Sequence, residues 1–477
     1  MKALLIVPPL AKIQLGIKYK PTTAHAGLAY LAGMLRKHQH EVAVLDLALE
    51  TRHERLQTCL NEIKPDLVAV TSMSYQHRIA YDLIKELKTM GNYQVAFGGI
   101  HVSAIREKAL EDTEADFAIL GEGEYTLLEL CNGVDYKNIK GLIWRDGEKI
   151  VSNEPRELIT NLDEIPFPAY DLFKVDEYTD RVIPLVSSRG CPFGCIYCSV
   201  DVVFGRKFRA RKPENVLEEI QMWCEKGYRY FRFNDDCFTF DAERTNKICE
   251  MIIERELKIV WDLQNGIRVD RVDKELLVKM KQAGCRQIGF GVESADEEVL
   301  KNLHKGITIE QVTKTIYTAH ELGFNTNAFF MIGGPGDTFE KFKKSLKFAK
   351  SLPVNEFRFM ITTPYPRTKL YDWVDKNAHW LIKSDDYLNE CSPYRGSPIF
   401  ETSEFPGKEV EKAYNIAYKE VMRKIVKNEL GNLWGSIAYL FWYNPIIRKV
   451  VMKPGIKLWE IIRGRRSRRF SLREGIK

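Results

Sequence analysis

Short apolar runs alternate with amphipathic helical segments along most of the first 375 residues of this 477-residue chain. The series begins with the strand Ala3–Val7, the helix Gly27–His38 and the strand Glu41–Leu47. Repeated alternation of strand and helix is typical of a parallel sheet that helices cover on both faces. The sequence therefore predicts an α/β fold.

Three loops of small and polar residues fall at the predicted carboxyl ends of strands in the first 130 residues. They are Thr71-Ser72, Gly98-Gly99-Ile100-His101 and Gly121-Glu122-Gly123-Glu124. Open parallel sheets bind their ligands at this edge, where loops and helix amino ends gather. We therefore expect the three loops to form a platform for a cofactor.

A polar segment with three prolines separates two series of strands and helices. Alternation resumes at the strand Val182–Ser187 and gives about six βα units, which suits a partial (β/α)6 TIM-type barrel and is short for a full one. The pattern becomes helical and irregular after about Trp373. The sequence thus predicts a Rossmann-like domain over 1–145, a linker over 146–180, a partial barrel over 181–375 and a helical carboxyl-terminal region over 376–477.

The composition excludes several classes of protein. Hydrophobic residues make up 45% of the chain and charged residues 29%, which excludes a largely disordered, collagen-like or multi-span membrane protein. The 10 cysteines are too sparse for a disulfide scaffold. The apolar run at the amino end is too short for a signal peptide, so we expect a cytoplasmic protein.

Three cysteines, Cys191, Cys195 and Cys198, lie within eight positions on a loop that follows a predicted strand. Thiolates at this spacing can bind three irons of a 4Fe–4S cube and leave the fourth iron without a protein ligand. The alternative is a zinc site, which normally needs four ligands. The nearest later Cys or His is Cys224, so the spacing favours the iron–sulfur cluster, with the three cysteines as its metal ligands.

The cysteine loop resembles the motif of the radical S-adenosylmethionine (SAM) superfamily, and accompanying features cover most of residues 182–375. The resemblance implies that the open iron chelates SAM and that reductive cleavage of SAM gives a 5′-deoxyadenosyl radical. It also implies that certain residues contact SAM: Tyr197 and Gly334 by the adenine, Asp235 and Asp236 at the amino group, and Glu293 and Ser294 at the ribose or carboxylate.

These residues also have structural interpretations that the sequence leaves open. Tyr197 could be a packing aromatic residue, and Asp235 and Asp236 could cap the loop that follows them. A buried Glu293 could pair with a neighbouring arginine such as Arg268.

The first 130 residues resemble the cobalamin-binding domain that precedes some radical SAM barrels. The resemblance is carried by GLAYLAGMLRKHQHEVAVLDL, PDLVAVTS, FGGIHVSA and DFAILGEGE. The chain has no Asp-x-His-x-x-Gly, so the usual histidine ligand below the cobalt is missing, and His101 is the only histidine in a candidate loop. The resemblance implies cobalamin contacts at six positions: Thr71, Ser72, Gly98, Gly99, His101 and Gly123.

Together the two resemblances imply a cobalamin-dependent radical SAM enzyme that methylates an unactivated carbon, through a 5′-deoxyadenosyl radical and methylcobalamin. Its expected cofactors are a 4Fe–4S cluster, SAM and cobalamin. The alternative within this family is an oxidative cyclase or carbon–carbon coupling enzyme without methyl transfer. More distant alternatives are a tRNA methylthiotransferase, which would carry a second three-cysteine cluster, and a non-enzymatic metal- or cobalamin-binding protein.

The positive charge is concentrated at the carboxyl end. Residues 448–477 contain eleven Lys or Arg and two Glu, a net charge of +9, so the rest of the chain carries −3 of the total of +6. Aromatic and apolar residues precede these cations, which suits a segment at a membrane interface as well as a helical cap with a solvated tail. The expected partners are a small-molecule or lipid-like substrate and a flavodoxin- or ferredoxin-type electron donor; no nucleic acid is expected.

Overall fold

The computed structural model describes residues 1–10, 21–49, 53–382 and 396–431. The chain divides into two compact units. Of the described residues, those within 1–238, 303–305 and 363–402 belong to the first unit, and those within 239–302, 306–362 and 403–431 belong to the second. Cys391 and the basic tail over 448–477 lie outside the described residues.

A seven-stranded sheet organises the first part of unit 1, in the order β2-β1-β3-β4-β5-β6-β7. Its strands are β1 Lys2–Val7, β2 Glu41–Asp46, β3 Leu67–Thr71, β4 Gln94–Gly98, β5 Phe117–Ile119, β6 Leu142–Asp146 and β7 Lys149–Ser152. The first five are parallel, and the last two are antiparallel. The helices are α1 Ala26–Lys37, α2 His53–Ile63, α3 His77–Met90, α4 Ile100–Ile105, α5 Lys108–Glu111 and α6 Glu124–Cys131.

The sequence of β3 suits its position inside this sheet, between β1 and β4. All five of its residues, LVAVT, are buried, as expected of a parallel strand covered on both faces. One face of the sheet packs into a core that includes Leu4, Ile6, Val68, Phe97 and helix residues such as Ile84.

The segment expected as a linker contains structure that its polar composition did not predict. The sheet extends through β7 to Ser152, beyond residue 146. Further along, Tyr170 is fully buried and contacts Trp223 with ring centroids 5.8 Å apart. Ala169 donates its backbone N–H to the carbonyl of Ala29 in α1. The segment therefore packs against α1 and Trp223 within the first unit.

The remainder of unit 1 up to residue 238 contains short elements. They are β8 Ile183–Leu185, β9 Ser188–Arg189, α7 Val200–Val203, β10 Arg209–Ala210, α8 Pro213–Glu225 and β11 Tyr230–Phe233. Strands β8 and β11 pair in parallel, and β9 pairs antiparallel with β10.

Unit 2 contains four parallel strands joined by helices. These elements are α9 Ala242–Glu254, β12 Val260–Ile267, α10 Lys274–Gln282, β13 Cys285–Glu293, α11 Glu297–Asn302, α12 Ile309–Glu321, β14 Asn325–Ile332, α13 Phe339–Ser351 and β15 Glu356–Ile361. The chain returns to unit 1 with α14 Lys369–Asn377, β16 His379–Trp380 and β17 Phe400–Glu401. The last described element is α15 Gly407–Leu430 of unit 2, which packs on β15 and α13.

The α/β fold is confirmed. All six parallel strands predicted after residue 181 are present as β8 and β11–β15, and a helix lies in the predicted carboxyl-terminal region. In the ranges given above, no helix combines the length and the apolar character needed to cross a membrane.

Candidate active site

The loop that carries Cys191, Cys195 and Cys198 runs from β9 to α7 and is anchored at its centre. Ile196 donates its backbone N–H to the carbonyl of Leu303 at 3.2 Å and accepts the N–H of Leu370 at 2.9 Å. Cys198 closes a turn by donating its N–H to Cys195 O. All three cysteines are partly buried, so the loop holds them in a sheltered position.

The Cys198 thiol does not ionise easily where it lies. Burial raises the pKa of Cys198 to about 12, and the charges of Cys191 and Cys195 add to that rise. Iron cations would offset this cost, because a metal deprotonates the thiols that bind it; the donor set therefore fits a cluster. Within the described ranges no three His, Cys, Asp or Glu side chains are arranged to hold a metal ion as they stand, so the cysteines stay predicted ligands.

Asp235 and Asp236 follow β11 and hold the start of this loop. The carboxylate of Asp235 accepts hydrogen bonds from Ser187 N at 2.8 Å, Ser187 Oγ at 2.6 Å and Ser188 Oγ at 2.5 Å. Asp236 accepts the N–H of Gly190 at 2.8 Å, and burial raises the pKa of Asp236 to about 6. Asp235 thus positions the β8–β9 junction, and contact of either residue with SAM stays a prediction.

A lysine that sequence analysis did not single out lies beside Tyr197. Lys305 is buried, and its Nζ donates to the Tyr197 hydroxyl at 3.4 Å. Tyr197 directly precedes Cys198, so this contact places a cation close to the cysteine loop. Nothing in the local pattern HKG of residues 304–306 marks Lys305, because its contact is with a residue more than a hundred positions away.

In unit 2, Glu293 and Ser294 lie at the end of β13. Glu293 is buried and has a backbone φ of +66°, where strand pairing with β14 shifts register. Such strained positions of non-glycine residues cluster at functional sites. Ser294 Oγ lies 3.2 Å from Ser345 Oγ and accepts the N–H of Asp296. Arg268 pairs with Asp270 at 2.9 Å and donates to the carbonyl of Gly306.

The loop of Gly334 is held by Asp337, also in unit 2. The Asp337 carboxylate accepts the N–H groups of Gly333 and Thr338, each at 2.9 Å, and the Asp337 N–H donates to Gly334 O at 3.0 Å. Burial raises the pKa of Asp337 to about 6. The carboxylate therefore shapes the turn in which Gly334 was predicted to pass the adenine.

The three loops predicted as a cofactor platform meet at one edge of the first sheet, where backbone bonds link them. Ser72 donates its N–H to Gly98 O at 3.0 Å and accepts the N–H of His101 at 3.2 Å. Ser103 Oγ donates to Gly99 O and accepts the N–H of Gly121. Gly99 has a φ of +106°, and a Cβ there would lie 2.7 Å from Ser72 O, so a larger residue would disrupt this edge.

The residues at the edge differ in exposure. Thr71 and Ser72 are buried, while Gly98 and Gly99 are partly exposed. A Cβ at Gly123, which is also partly exposed, would lie 3.2 Å from Ile119 Cγ2.

His101 is 1% exposed, and its Nε2 lies 3.0 Å from the Tyr81 hydroxyl. Its ring lies 4.8 Å from that of His77, and burial together with His77 lowers the pKa of His101 to about 3. The imidazole is therefore neutral at physiological pH. The Tyr81 contact occupies Nε2, and burial keeps the ring from the surface.

Sequence analysis missed a buried ionic network at the third loop. Glu122 pairs with Arg189 at 2.8 Å and with Arg209 at 2.7 Å, and Glu124 pairs with Arg189 at 2.6 Å. In the sequence, Gly121–Glu124 was interpreted through its glycines. The carboxylates gave no local signal, because their partners lie more than sixty residues along the chain.

Family models match two separate parts of the chain, one that contains the cysteine loop and one that contains most of the first sheet. The model of the radical SAM superfamily matches residues 185–349, and that of the B12 binding domain matches residues 14–131.

Three curated proteins illustrate the range of the relatives. The chain is 33% identical over 432 residues to the uncharacterized methyltransferase PH0819 of Pyrococcus horikoshii, covering 88% of this chain and 92% of that protein. It is 29% identical to an anaerobic magnesium-protoporphyrin IX monomethyl ester cyclase of Cereibacter sphaeroides, over 72% of this chain and 59% of that protein. It is 27% identical to the hopanoid C-3 methylase of Methylococcus capsulatus, over 77% and 72%.

A solved structure has a similar fold. It is that of the radical SAM methyltransferase TsrM from Kitasatospora setae, with cobalamin and a [4Fe-4S] cluster bound. The TM-score is 0.65 at 21% identity, over 77% of this chain and 73% of that chain.

The raised pKa of Asp337 predicts how stability depends on pH. The folded chain holds the proton of this carboxyl more tightly than the unfolded chain, whose ordinary value is 3.8, so the stabilisation is complete below that value and is lost as pH rises through about 6. Between pH 4 and 7.5, the free energy of unfolding of the wild type should fall by roughly 2 kcal/mol relative to that of Asp337→Asn. Urea titrations across this range measure the difference; parallel curves would contradict it.

Proposed function

The chain belongs to the cobalamin-dependent radical SAM methyltransferase family, and from that premise we propose that it methylates an unactivated carbon of a small-molecule or lipid-like substrate. The observation that carries the proposal is a connection within unit 1. Arg189, two positions before Cys191, is buried against Glu122 and Glu124 of the platform edge. The loop for the cluster and the edge for the corrin are thus joined through one side chain.

The chemistry of the substrate supports a radical route. An unactivated C–H bond has no acidity for a general base to exploit. When bound, the cluster, SAM and cobalamin supply the electron, the hydrogen-abstracting radical and the methyl group that such a reaction needs.

The residues of the chain have distinct proposed tasks. Cys191, Cys195 and Cys198 hold the cluster, and Asp235 fixes the strand ends from which their loop starts. The proposed SAM contacts are Tyr197, Asp235, Asp236, Glu293, Ser294 and Gly334. The proposed cobalamin contacts are Thr71, Ser72, Gly98, Gly99, His101 and Gly123. We also keep the division of the chain after residues 145, 180 and 375 as a proposal.

Oxidative cyclisation without methyl transfer is the second candidate, and the similarity to the magnesium-protoporphyrin ester cyclase favours it. Product mass separates the two. Methyl transfer adds one carbon to the substrate and consumes a second SAM as methyl donor, whereas cyclisation leaves the carbon count unchanged.

The cysteine loop predicts the metal content of the chain. Anaerobically reconstituted wild type should contain about four irons and cleave SAM to 5′-deoxyadenosine after reduction. Cys198→Ser should lose most of the iron and all cleavage, because serine is a poor iron ligand at neutral pH. Cys224→Ser, at a partly buried cysteine outside the loop, is the matched control and should retain both. A colourless wild type holding zinc, or a Cys198→Ser chain with full iron content, would refute the assignment.

The contacts of His101 predict whether it can ligate the cobalt of a bound cobalamin. Because its Nε2 contacts Tyr81 and its ring is 1% exposed, we propose that His101 supports the platform edge without ligating cobalt. Protein labelled with ¹⁵N-histidine and loaded with cob(II)alamin should show no ¹⁵N coupling to cobalt in pulsed EPR. A resolved ¹⁵N coupling that disappears in His101→Gln would contradict this proposal.

We further propose that the enzyme works in the cytoplasm, takes electrons from a flavodoxin- or ferredoxin-type donor, and contacts the inner membrane face through residues 448–477. The support is their net charge of +9 next to an aromatic, apolar stretch and the lipid-like substrate class. Cations near an anionic membrane contribute about 1 kcal/mol each.

Vesicle binding tests the tail. The wild type should sediment with phosphatidylglycerol vesicles and not with phosphatidylcholine vesicles, and added salt should weaken the binding. Replacing Arg463, Arg465, Arg466, Arg468 and Arg469 by Gln should weaken it by at least about tenfold. Equal binding to both lipids, or no effect of the replacements, would contradict membrane recognition by these cations.

A further inference from the structure

Four buried charged side chains lie between the platform edge and the cysteine loop, all within unit 1. The side chains of Glu122, Glu124, Arg189 and Arg209 are 2%, 6%, 7% and 2% exposed. Glu122 also accepts the N–H of Ile159 at 2.8 Å, and Arg209 donates to Ile159 O at 2.6 Å. We call these four side chains the Glu–Arg network.

Stability alone does not account for such a network. Removing charges from water is so costly that buried ion pairs give little net stabilisation over well-packed apolar residues. What a buried network can provide is a defined geometry. A guanidinium is planar and presents its N–H groups in a rigid fork, and here one fork spans two carboxylates: Arg189 Nη1 bonds Glu122, and Nη2 bonds Glu124.

One end of the network fixes the start of the cysteine loop. Arg189 is followed by Gly190, which has a φ of +83° and donates its N–H to Asp236. A Cβ at residue 190 would collide with the carbonyl oxygen of Lys207. The backbone entering Cys191 is therefore held by the Arg189 side chain on one side of Gly190 and by close backbone packing at Gly190 itself.

The other end of the network belongs to the platform edge. Glu122 lies in the loop that leads from β5 into α6, and Glu124 is the first residue of α6. Gly121 of this loop donates its N–H to Ser103 Oγ at 2.9 Å. Ser103 in turn donates to Gly99 O. Hydrogen bonds thus link Gly99 through Ser103 to Gly121. The next residue along the chain, Glu122, then forms the ion pair with Arg189 at the start of the cysteine loop.

We propose that Glu122 and Glu124 are positioning residues that couple the platform edge to the cysteine loop, so that a ligand at either site changes the affinity of the other. This inference rests on the proposed function, since it takes the corrin to the platform and the cluster to the cysteines. Coupling between two sites is reciprocal, and hydrogen-bond and salt-bridge networks can carry it between them. The Glu–Arg network is the proposed carrier.

The test measures cobalamin affinity with and without the cluster. Hydroxocobalamin is titrated by absorbance into the full-length chain, once with the reconstituted cluster and once without iron. The wild-type dissociation constants should differ at least about fivefold. In Glu124→Gln, which keeps the shape and removes the charge, the ratio should fall toward one.

A matched control lies on the same helix. Glu129 of α6 pairs with Arg156, also in unit 1. Glu129→Gln also removes a carboxylate charge from a glutamate–arginine pair, but this pair is more exposed and lies outside the network, so the wild-type ratio should persist in it. Because the ratio is taken within each variant, a general loss of stability does not change it.

Arg189→Lys provides a second variant in case Glu124→Gln does not fold. Lysine keeps the charge and loses the two-pronged geometry, so the ratio should again fall while iron and sulfide contents show that the cluster forms. A wild type that binds both cofactors with equal cobalamin affinities, or a Glu124→Gln chain that keeps the wild-type ratio, would overturn the inference alone. A wild type that binds neither cofactor would refute the proposed function and the inference with it.

Discussion

Three thiols on one short loop impose the constraint around which this molecule is organised. The cysteines are sheltered from water, and burial together with their mutual repulsion raises the pKa of Cys198 to about 12. Cations at these thiols would offset the cost of ionising them, and a cluster held there would need a loop that is fixed in place. Much of the surrounding structure holds it: Asp235 at the strand ends, Asp236 at Gly190, and backbone bonds of Ile196 to Leu303 and Leu370.

The platform edge of the first sheet differs from the cysteine loop in the groups that it offers to a ligand. Its loops are short, rich in glycine and linked by backbone bonds, which leaves room for a large flat ligand to approach the backbone. The histidine of this edge is neutral and engaged by Tyr81. A ligand at this edge would therefore meet backbone groups, whereas a metal at the cysteine loop would meet thiolates. The Glu–Arg network links these two segments.

Local patterns predicted the parts of this structure that local interactions determine. The alternation of strand and helix gave the positions of β1 and β2, whose bounds differ by one residue from the expected Ala3–Val7 and Glu41–Leu47. The cysteine spacing and the three glycine- or serine-bearing loops marked the ends of strands. The resemblances to two families, which the family models confirm, came from the same segments.

What the sequence did not predict depends on pairs of residues far apart in the chain. The ion pair of Glu122 with Arg189 spans 67 positions, and that of Glu122 with Arg209 spans 87. Neither partner is unusual in its own segment. The strand β7 and the buried Tyr170 lie in the polar stretch that was predicted as a linker. Packing of this stretch against α1 and Trp223 outweighs its local composition.

The central claim is that three cysteines hold a cluster with one iron open to SAM. Mössbauer spectroscopy of the ⁵⁷Fe-reconstituted chain, recorded before and after addition of SAM, tests it most directly. The account predicts that about one iron in four changes its isomer shift on binding SAM while the other three keep theirs. A spectrum in which all irons are equivalent and unaffected by SAM would contradict it.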